Sequence, residues 1–357
     1  MSFRTRRVLF MTPFYMIFQF FLLKYMFLLI EGLNDWYLVM LAIVIGLLHF
    51  IPMLFEAKKS RKITRFLQTI DGVWLWASVM VLIDISAIYL LGTFIKLPGH
   101  IIWIFLAIVP VLGVYNYYKA HKLVVNQCVL KIDNLTHDIN IVHLSDVHFG
   151  SVRHKQIVRQ IADKLKELEK TCEIAIISGD LADGSSVVED HDFDALKEVS
   201  MPIIFTPGNH DFYPGIENVV EACKNAGIIV LDNDKFEFKN LNIYGLTFSF
   251  DEIEMPTSDE IRNAVNPDLI NIVNYHVPYY WNELSSLGFD IQLSGHTHGG
   301  QFYPAVNFAD RLFEYNKGLF MNKSGKYIHV TTGVGSMDTP MRWGTDSELV
   351  ILKLMKK

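Results

Sequence analysis

Four long apolar stretches fill the first third of this chain, and no other feature limits its fold so strongly. They run over about 8–30, 36–55, 70–95 and 101–118. A helix rising about 1.5 Å per residue needs about 20 apolar residues to cross the hydrocarbon core of a bilayer. Each stretch is long enough, and the second and fourth hold no Asp, Glu, Lys or Arg. A cleaved leader would be shorter and would not be followed by three more such stretches. The flanking charges alternate. Arg4, Arg6 and Arg7 precede the first stretch, Lys58, Lys59, Arg61, Lys62 and Arg65 separate the second from the third, and Lys119 and Lys122 follow the fourth. Glu31, Asp35 and Lys96 mark the other side. The basic side is cytoplasmic by the positive-inside rule. The expectation is a multi-pass, all-α four-helix transmembrane region over residues 1–122, in an inner or plasma membrane, with residues 123–357 on the cytoplasmic side. Lys24 and Asp84 fall within spans, and a pair between them is one way to hold the bundle together.

The net charge of −6 hides a split. Residues 1–122 carry 12 Lys+Arg against 5 Asp+Glu, and the remainder carries 20 against 33, a net of −13. An acidic domain without a basic patch does not repay phosphate repulsion, so nucleic acid is excluded as a partner. Cys128, Cys172 and Cys223 show no paired spacing and form no disulfide framework.

From about Leu123 the texture changes to short apolar runs, each ending in a polar cluster. Runs at 139–144, 174–177, 203–205, 269–273 and 291–293 read as buried strands. Ile157, Ile161, Leu165 and Leu168 sit at helical spacing, with Ser151 as the candidate N-cap. Further helices are expected at 193–199 and 216–226. Runs at 236–238, 241–247, 327–332 and 349–354 read as more strands, which suggests two packed sheets with helices outside. The junction near 118–125 is short, so this domain stays close to the bilayer.

Chemistry concentrates where the strands end. Asp146-x-His148, Gly179-Asp180, Gly208-Asn209-His210-Asp211, His276 and Gly295-His296-x-His298 each follow an apolar run. Strand carboxyl ends are where sites assemble in α/β sheets. Asp146, Asp180 and Asn209 with His148, His276, His296 and His298 give seven candidate ligands, too many for one ion. A shared carboxylate brings each of two ions to about four protein ligands. Mixed oxygen and nitrogen donors suit Mn2+ first, with Fe, Zn2+, Ni2+ and Mg2+ as alternatives, rather than Ca2+. Two such ions clamp a phosphoryl group and lower the pKa of a bridging water.

LSDVHFG (144–150), SGDLAD (178–183), TPGNHD (206–211), NYHVP (274–278) and SGHTHGGQ (294–301) resemble the five motifs of the calcineurin-like metallophosphoesterase superfamily. The resemblance covers about residues 123–357, and the GHTHGGQ ending is similar to membrane-associated phosphodiesterases, relatives of which act on UDP-2,3-diacylglucosamine. It implies a four-layer α/β/β/α sandwich. It implies a first metal on Asp146, His148, Asp180 and His298, and a second on Asp180, Asn209, His276 and His296, with Asp180 bridging. It implies that His210 binds no metal but donates to the substrate or leaving oxygen, oriented by Asp211. Gly299 and Gly300 would let the backbone pass close to the metals.

The expected activity is hydrolysis of a phosphodiester or pyrophosphate of a lipid-linked substrate, with membrane lipids as surroundings. The alternatives are a tethered phosphatase for soluble nucleotides or phosphoproteins, and a signalling or scaffold protein with a vestigial site. Tyr279, Tyr280 and Trp281, with Phe308, Leu312 and Phe313, form either an aromatic rim for acyl chains or ordinary core. Arg153, His154 and Arg342 reach phosphate or play structural parts, and His143 reads as a core histidine.

Overall fold

The computed structural model describes residues 3–30 and 32–357. Glu31 therefore lies outside the described residues, as does the side chain of Arg4. Four helices open the chain: α1 (Phe3–Leu28), α2 (Asp35–Glu56), α3 (Lys62–Gly92) and α4 (Gly99–His121). All four are long and apolar enough to cross a membrane. Each of the four expected stretches is a helix. The third differs most, because helix α3 starts at Lys62, eight residues before the apolar run. That first segment mixes charged and apolar residues, and it stays helical by packing, with Thr64 buried. Lys24 pairs with Asp35 at 2.8 Å, not with Asp84. The partner sits at the start of α2, within reach of the end of α1, whereas Asp84 lies mid-helix in α3.

Only Lys122 separates α4 from the first strand, β1 (Leu123–Ile132). This strand lies parallel to β12 (Ser347–Lys356) along its whole length, from Leu123 opposite Ser347 to Ile132 opposite Lys356. The fourth helix thus feeds straight into a sheet edge. The first sheet runs β1-β12-β2-β3-β4-β5, where β2 is Ile139–Leu144, β3 Ile174–Ser178, β4 Ile203–Thr206 and β5 Ile229–Val230. The second runs β10-β11-β9-β8-β7-β6, where β6 is Asp234–Phe238, β7 Leu241–Leu246, β8 Ile270–Tyr275, β9 Ile291–Ser294, β10 Gly318–Met321 and β11 Tyr327–Val330.

Strands β2, β3, β4 and β8 are buried along nearly every residue, which is why their sequences read as continuous Ile/Val runs. One apolar cluster joins the sheets, with Ile141, Ile176 and Leu352 meeting Ile243, Ile272 and Leu293. A second packs the first sheet against α5 (His154–Leu168) and α6 (Ile216–Asn225) through Ile157, Ile161, Val219 and Ala222. A third packs the second sheet against α7 (Ser258–Asn263) and α8 (Trp281–Leu287) through Ile261, Leu284 and Phe289.

Two local expectations fail. Ser151 does not cap α5; the residue before that helix is Arg153, and the Ser151 amide donates to Ser185 Oγ at 2.8 Å. The segment 193–199 forms a short 3₁₀ turn over Asp194–Glu198, because the Leu196 and Val199 amides donate to carbonyls three residues back.

The bundle and the sheets are joined by several contacts. Met341, 1% exposed, inserts among Leu22, Trp76 and Val109 of the helices. The buried Glu56 carboxylate accepts from the Arg61 amide and the Thr64 hydroxyl on the bundle side, and from Ser186 Oγ at 2.9 Å on the domain side. Lys119 pairs with Asp346, and the Arg342 amide donates to the Asn116 carbonyl at 3.1 Å.

Candidate metal centre

Parallel strands β2, β3 and β4 end side by side, as do β8 and β9, so five loops leave at one end. Asp146 and His148 follow β2, Asp180 follows β3, Asn209 and His210 follow β4, His276 follows β8, and His296 and His298 follow β9. These loops bend sharply. Asp146, His148, Asp180, His296 and His298 all have φ between 50° and 72°, in the left-handed region that residues with a Cβ avoid. Such strain costs about 1–3 kcal/mol at each residue and persists only where the surroundings impose it. Five of seven candidate ligands carry it.

The bends bring the ligand atoms together. His298 Nε2 lies 3.3 Å from Asp146 Oδ1 and 3.0 Å from His148 Nε2. His276 Nε2 lies 3.1 Å from Asp180 Oδ2, and the same oxygen lies 3.9 Å from His148 Nε2. His296 Nδ1 lies 3.0 Å from Asn209 Oδ1 and 3.3 Å from His276 Nε2. Ligands at about 2.1 Å from one ion stand about 3.0–3.4 Å from each other, so these spacings fit coordination. Three groups result, Asp146–His148–His298, Asp180–His276–His296 and His148–Asp180–His210, and Asp180 belongs to the last two. His210 lies at the seam, with a ring nitrogen within 4.8 Å of ligand atoms of His148 and Asp180.

The donor set fits divalent cations. His276 Nδ1 donates to the Ser178 carbonyl at 2.7 Å, which leaves Nε2 bare and pointed at Asp180. The imidazole nitrogens of His148 and His298 face each other across 3.0 Å, a spacing that suits a shared cation. Burial lowers the pKa of His276, yet Asp180 outweighs it and raises it to about 9. The field that draws a proton there would also hold a metal ion.

Asp211 fastens two candidate-ligand loops together, its oxygens accepting the amides of Asp180 (2.9 Å), Ala182 (2.8 Å) and Gly208 (2.8 Å). Burial and the Asp180 charge push its pKa up to about 7. The His210 ring nitrogen Nδ1 lies 3.4 Å from the Asp183 carbonyl. A Cβ on Gly300 would strike the backbone of Val306, 2.5 Å away in α9 (Ala305–Leu312), and one on Gly299 would lie 3.0 Å from Lys317 Cδ. Gly208, whose Cβ would lie 2.4 Å from Asp180 Oδ1, and Gly295, whose Cβ would lie 2.2 Å from Asp146 Oδ2, approach candidate ligands.

Arg342 is fully buried, donates to the carbonyls of Thr332 (2.7 Å) and Asp346 (2.7 Å), and comes within 3.3 Å of His298 Nδ1. Burial pushes its pKa down to about 10. Arg153 donates to the Ala120 carbonyl at 3.0 Å, and the His154 ring packs on Phe149. His143 is a buried link between Ser178 Oγ and His329. The sequence reading missed Asn274, which bonds Ser178, Ile177 and Thr206 beneath the cluster; its place two residues before His276 was the available signal. It also missed Gln301, which donates to the Thr339 carbonyl at 3.1 Å and so ties the last ligand loop to the segment that enters the bundle. Of the aromatic residues, Trp281 is core, while Tyr279, Phe308 and Leu312 are exposed and Phe313 stacks beside Tyr279 and His296.

Residues 139–300, which hold every candidate ligand, match the calcineurin-like phosphoesterase family. This part of the chain is similar to calcineurin-like metallophosphoesterase domains. The chain is 26% identical over 258 residues to an uncharacterized metallophosphoesterase of Helicobacter pylori, covering 69% of this chain and 67% of that one. It is 28% identical over 266 residues to another from Aquifex aeolicus, covering 70% and 98%. A zebrafish (Danio rerio) transmembrane protein with a metallophosphoesterase domain is 26% identical over 274 residues, covering 69% of this chain and 61% of that protein. The phosphoesterase is a metal-dependent hydrolase, and its family implies divalent ions and a phosphoester substrate.

Proposed function

We propose that this protein is a membrane-anchored dinuclear phosphoesterase that hydrolyses a phosphodiester or pyrophosphate of a lipid-linked substrate, with UDP-2,3-diacylglucosamine as the sharpest example. The grouping of Asp146, His148 and His298 beside Asp180, His276 and His296, with Asp180 Oδ2 between His276 and His148, supports the reading. In it, residues 1–122 are a multi-pass anchor in an inner or plasma membrane and residues 123–357 are the catalytic domain, layered α/β/β/α on the cytoplasmic side. Asp146, His148, Asp180 and His298 hold one ion, and Asp180, Asn209, His276 and His296 the other. When bound, the pair, Mn2+ first among the candidates, supplies the charge that activates water and neutralises phosphoryl oxygens.

The chain's own residues do the rest. His210, half-buried at the seam, holds a proton at its ring for the leaving oxygen: as water oxygen bonds to phosphorus and the P–O bond breaks, a phosphodiester would give an alcohol and a phosphomonoester, and a pyrophosphate two phosphomonoesters. Asp211 keeps the Asp180 and Gly208 loops in register. The backbone amide of His210 donates to Asp180 Oδ1 at 2.8 Å and turns Oδ2 toward the other ligands. A complete ligand set argues against a vestigial site. The test is turnover by the full-length protein with Mn2+ of bis-p-nitrophenyl phosphate, p-nitrophenyl phosphate and a lipid pyrophosphate. Turnover of the diester and the lipid is expected; turnover of the soluble monoester alone would overturn the lipid reading.

A further inference from the structure

A chamber of about 360 Å³ lies between the helices and the catalytic domain. One wall holds His210 and Tyr213 beside the metal cluster. The opposite wall is built by the bundle: Arg7 of α1, His49 of α2, and Gln68 and Asp71 of α3. Asp71 is nine-tenths buried. Its Oδ2 meets His49 Nδ1 at 2.8 Å, while its Oδ1 has no hydrogen-bond partner. An orphaned buried carboxylate oxygen is destabilising unless something donates to it. The amide of Gln68, one turn earlier on the same helix, faces the same space.

The chamber is placed for an amphiphile. Helix α3 has 31 residues, about 46 Å, against a hydrocarbon core of about 30 Å, so about ten residues lie beyond the bilayer. Gly72 abuts the catalytic domain, since a Cβ there would lie 2.8 Å from the Asp338 carbonyl. Asp71 therefore sits at the bilayer boundary. Val8 and Met11 of α1 line the chamber too, and Met11 is half exposed.

We propose that this chamber is a lipid head-group site: Asp71 and Gln68 read hydroxyl donors on the organic group of a phosphodiester lipid, its chains leave along Val8 and Met11, and its phosphorus sits beside His210. The inference rests on the phosphoesterase reading and adds the site that selects the substrate. The same head-group chemistry exists free in water, and the membrane source is the one the apolar edge favours.

The test uses full-length protein in mixed micelles with three probes: phosphatidylglycerol, its deacylated counterpart glycerophosphoglycerol, and bis-p-nitrophenyl phosphate, which bears no hydroxyl. Asp71→Asn and Gln68→Leu should each lower the ratio of kcat/KM for phosphatidylglycerol to that for bis-p-nitrophenyl phosphate at least tenfold. Binding is read apart from turnover. Phosphatidylglycerol should raise the Tm of EDTA-treated wild type above the value with phosphatidic acid, and Asp71→Asn should abolish that difference. The Gln68 side chain makes no hydrogen bond among the described residues, so Gln68→Leu keeps the test open if Asp71→Asn misfolds. An unchanged ratio and an unchanged Tm difference in both variants would overturn the head-group site. Glycerophosphoglycerol turned over as well as the lipid would overturn the membrane source. Loss of all turnover with the Tm difference intact would instead sink the phosphoesterase reading and leave the site standing.

Discussion

Asp180 gives Oδ1 to the His210 amide and turns Oδ2 toward His276 and His148, so one carboxylate serves both halves of the cluster. Asp180→Asn should release metal from both groups and cut diesterase activity about 1000-fold, several kcal/mol of transition-state stabilisation, as read by kcat/KM and by metal content. Gly208→Ala reaches the same carboxylate from behind, since its Cβ would lie 2.4 Å from Asp180 Oδ1 and 2.6 Å from the Asp180 amide. It should lower metal content and Tm together, whereas a change at an unconstrained turn would move neither. Asp211→Asn turns an amide group toward three backbone donors. Each buried donor left unpaired costs about 1–3 kcal/mol, so the expected result is a lower urea midpoint. The candidate ligands were legible because Asp, Asn and His side chains announce their chemistry wherever the backbone puts them. The left-handed φ of five of them was not, since nothing in Asp146 or His298 as a residue type asks for it.

At the scale of elements, the strands before each motif were legible because burial on both faces leaves unbroken apolar runs. Strand β1 was not, since its Asn126, Gln127 and Lys131 face outward from a sheet edge and break the run. Helix α3 was legible only where it is apolar; its first eight residues mix charged and apolar side chains, and among them only Thr64 is buried. The α2–α3 turn is held by Glu56, whose one carboxylate joins Arg61, Thr64 and Ser186. Glu56→Ala strands those donors and should lower stability by about 1–3 kcal/mol, a drop of several degrees in Tm. Gly72→Val would press on the Asp338 carbonyl and on Pro340 Cδ, 2.9 Å away. It should open the segment around Met337 to protease in membranes that leave the wild type intact.

Across the whole molecule, the bundle and the phosphoesterase domain form one body. Met341 is buried among the helices, Gln301 links that segment to the last ligand loop, and β1 continues directly from α4. The charge split of +7 against −13 was legible as anchor and domain, but the docking was not, because it rests on a few loop residues from distant parts of the chain. The positive-inside reading predicts that alkaline phosphatase fused after Lys122 is inactive in cells; strong activity would reverse the orientation. The account as a whole stands on metal held by these residues. Its most direct measurement is elemental analysis of the full-length protein alongside diesterase assay, for wild type, Asn209→Ala and His276→Ala. Two divalent ions per wild-type chain are expected, with about one in each variant and activity reduced at least a hundredfold. Full activity with unchanged metal content in both variants, or in wild type stripped of metal, would contradict it.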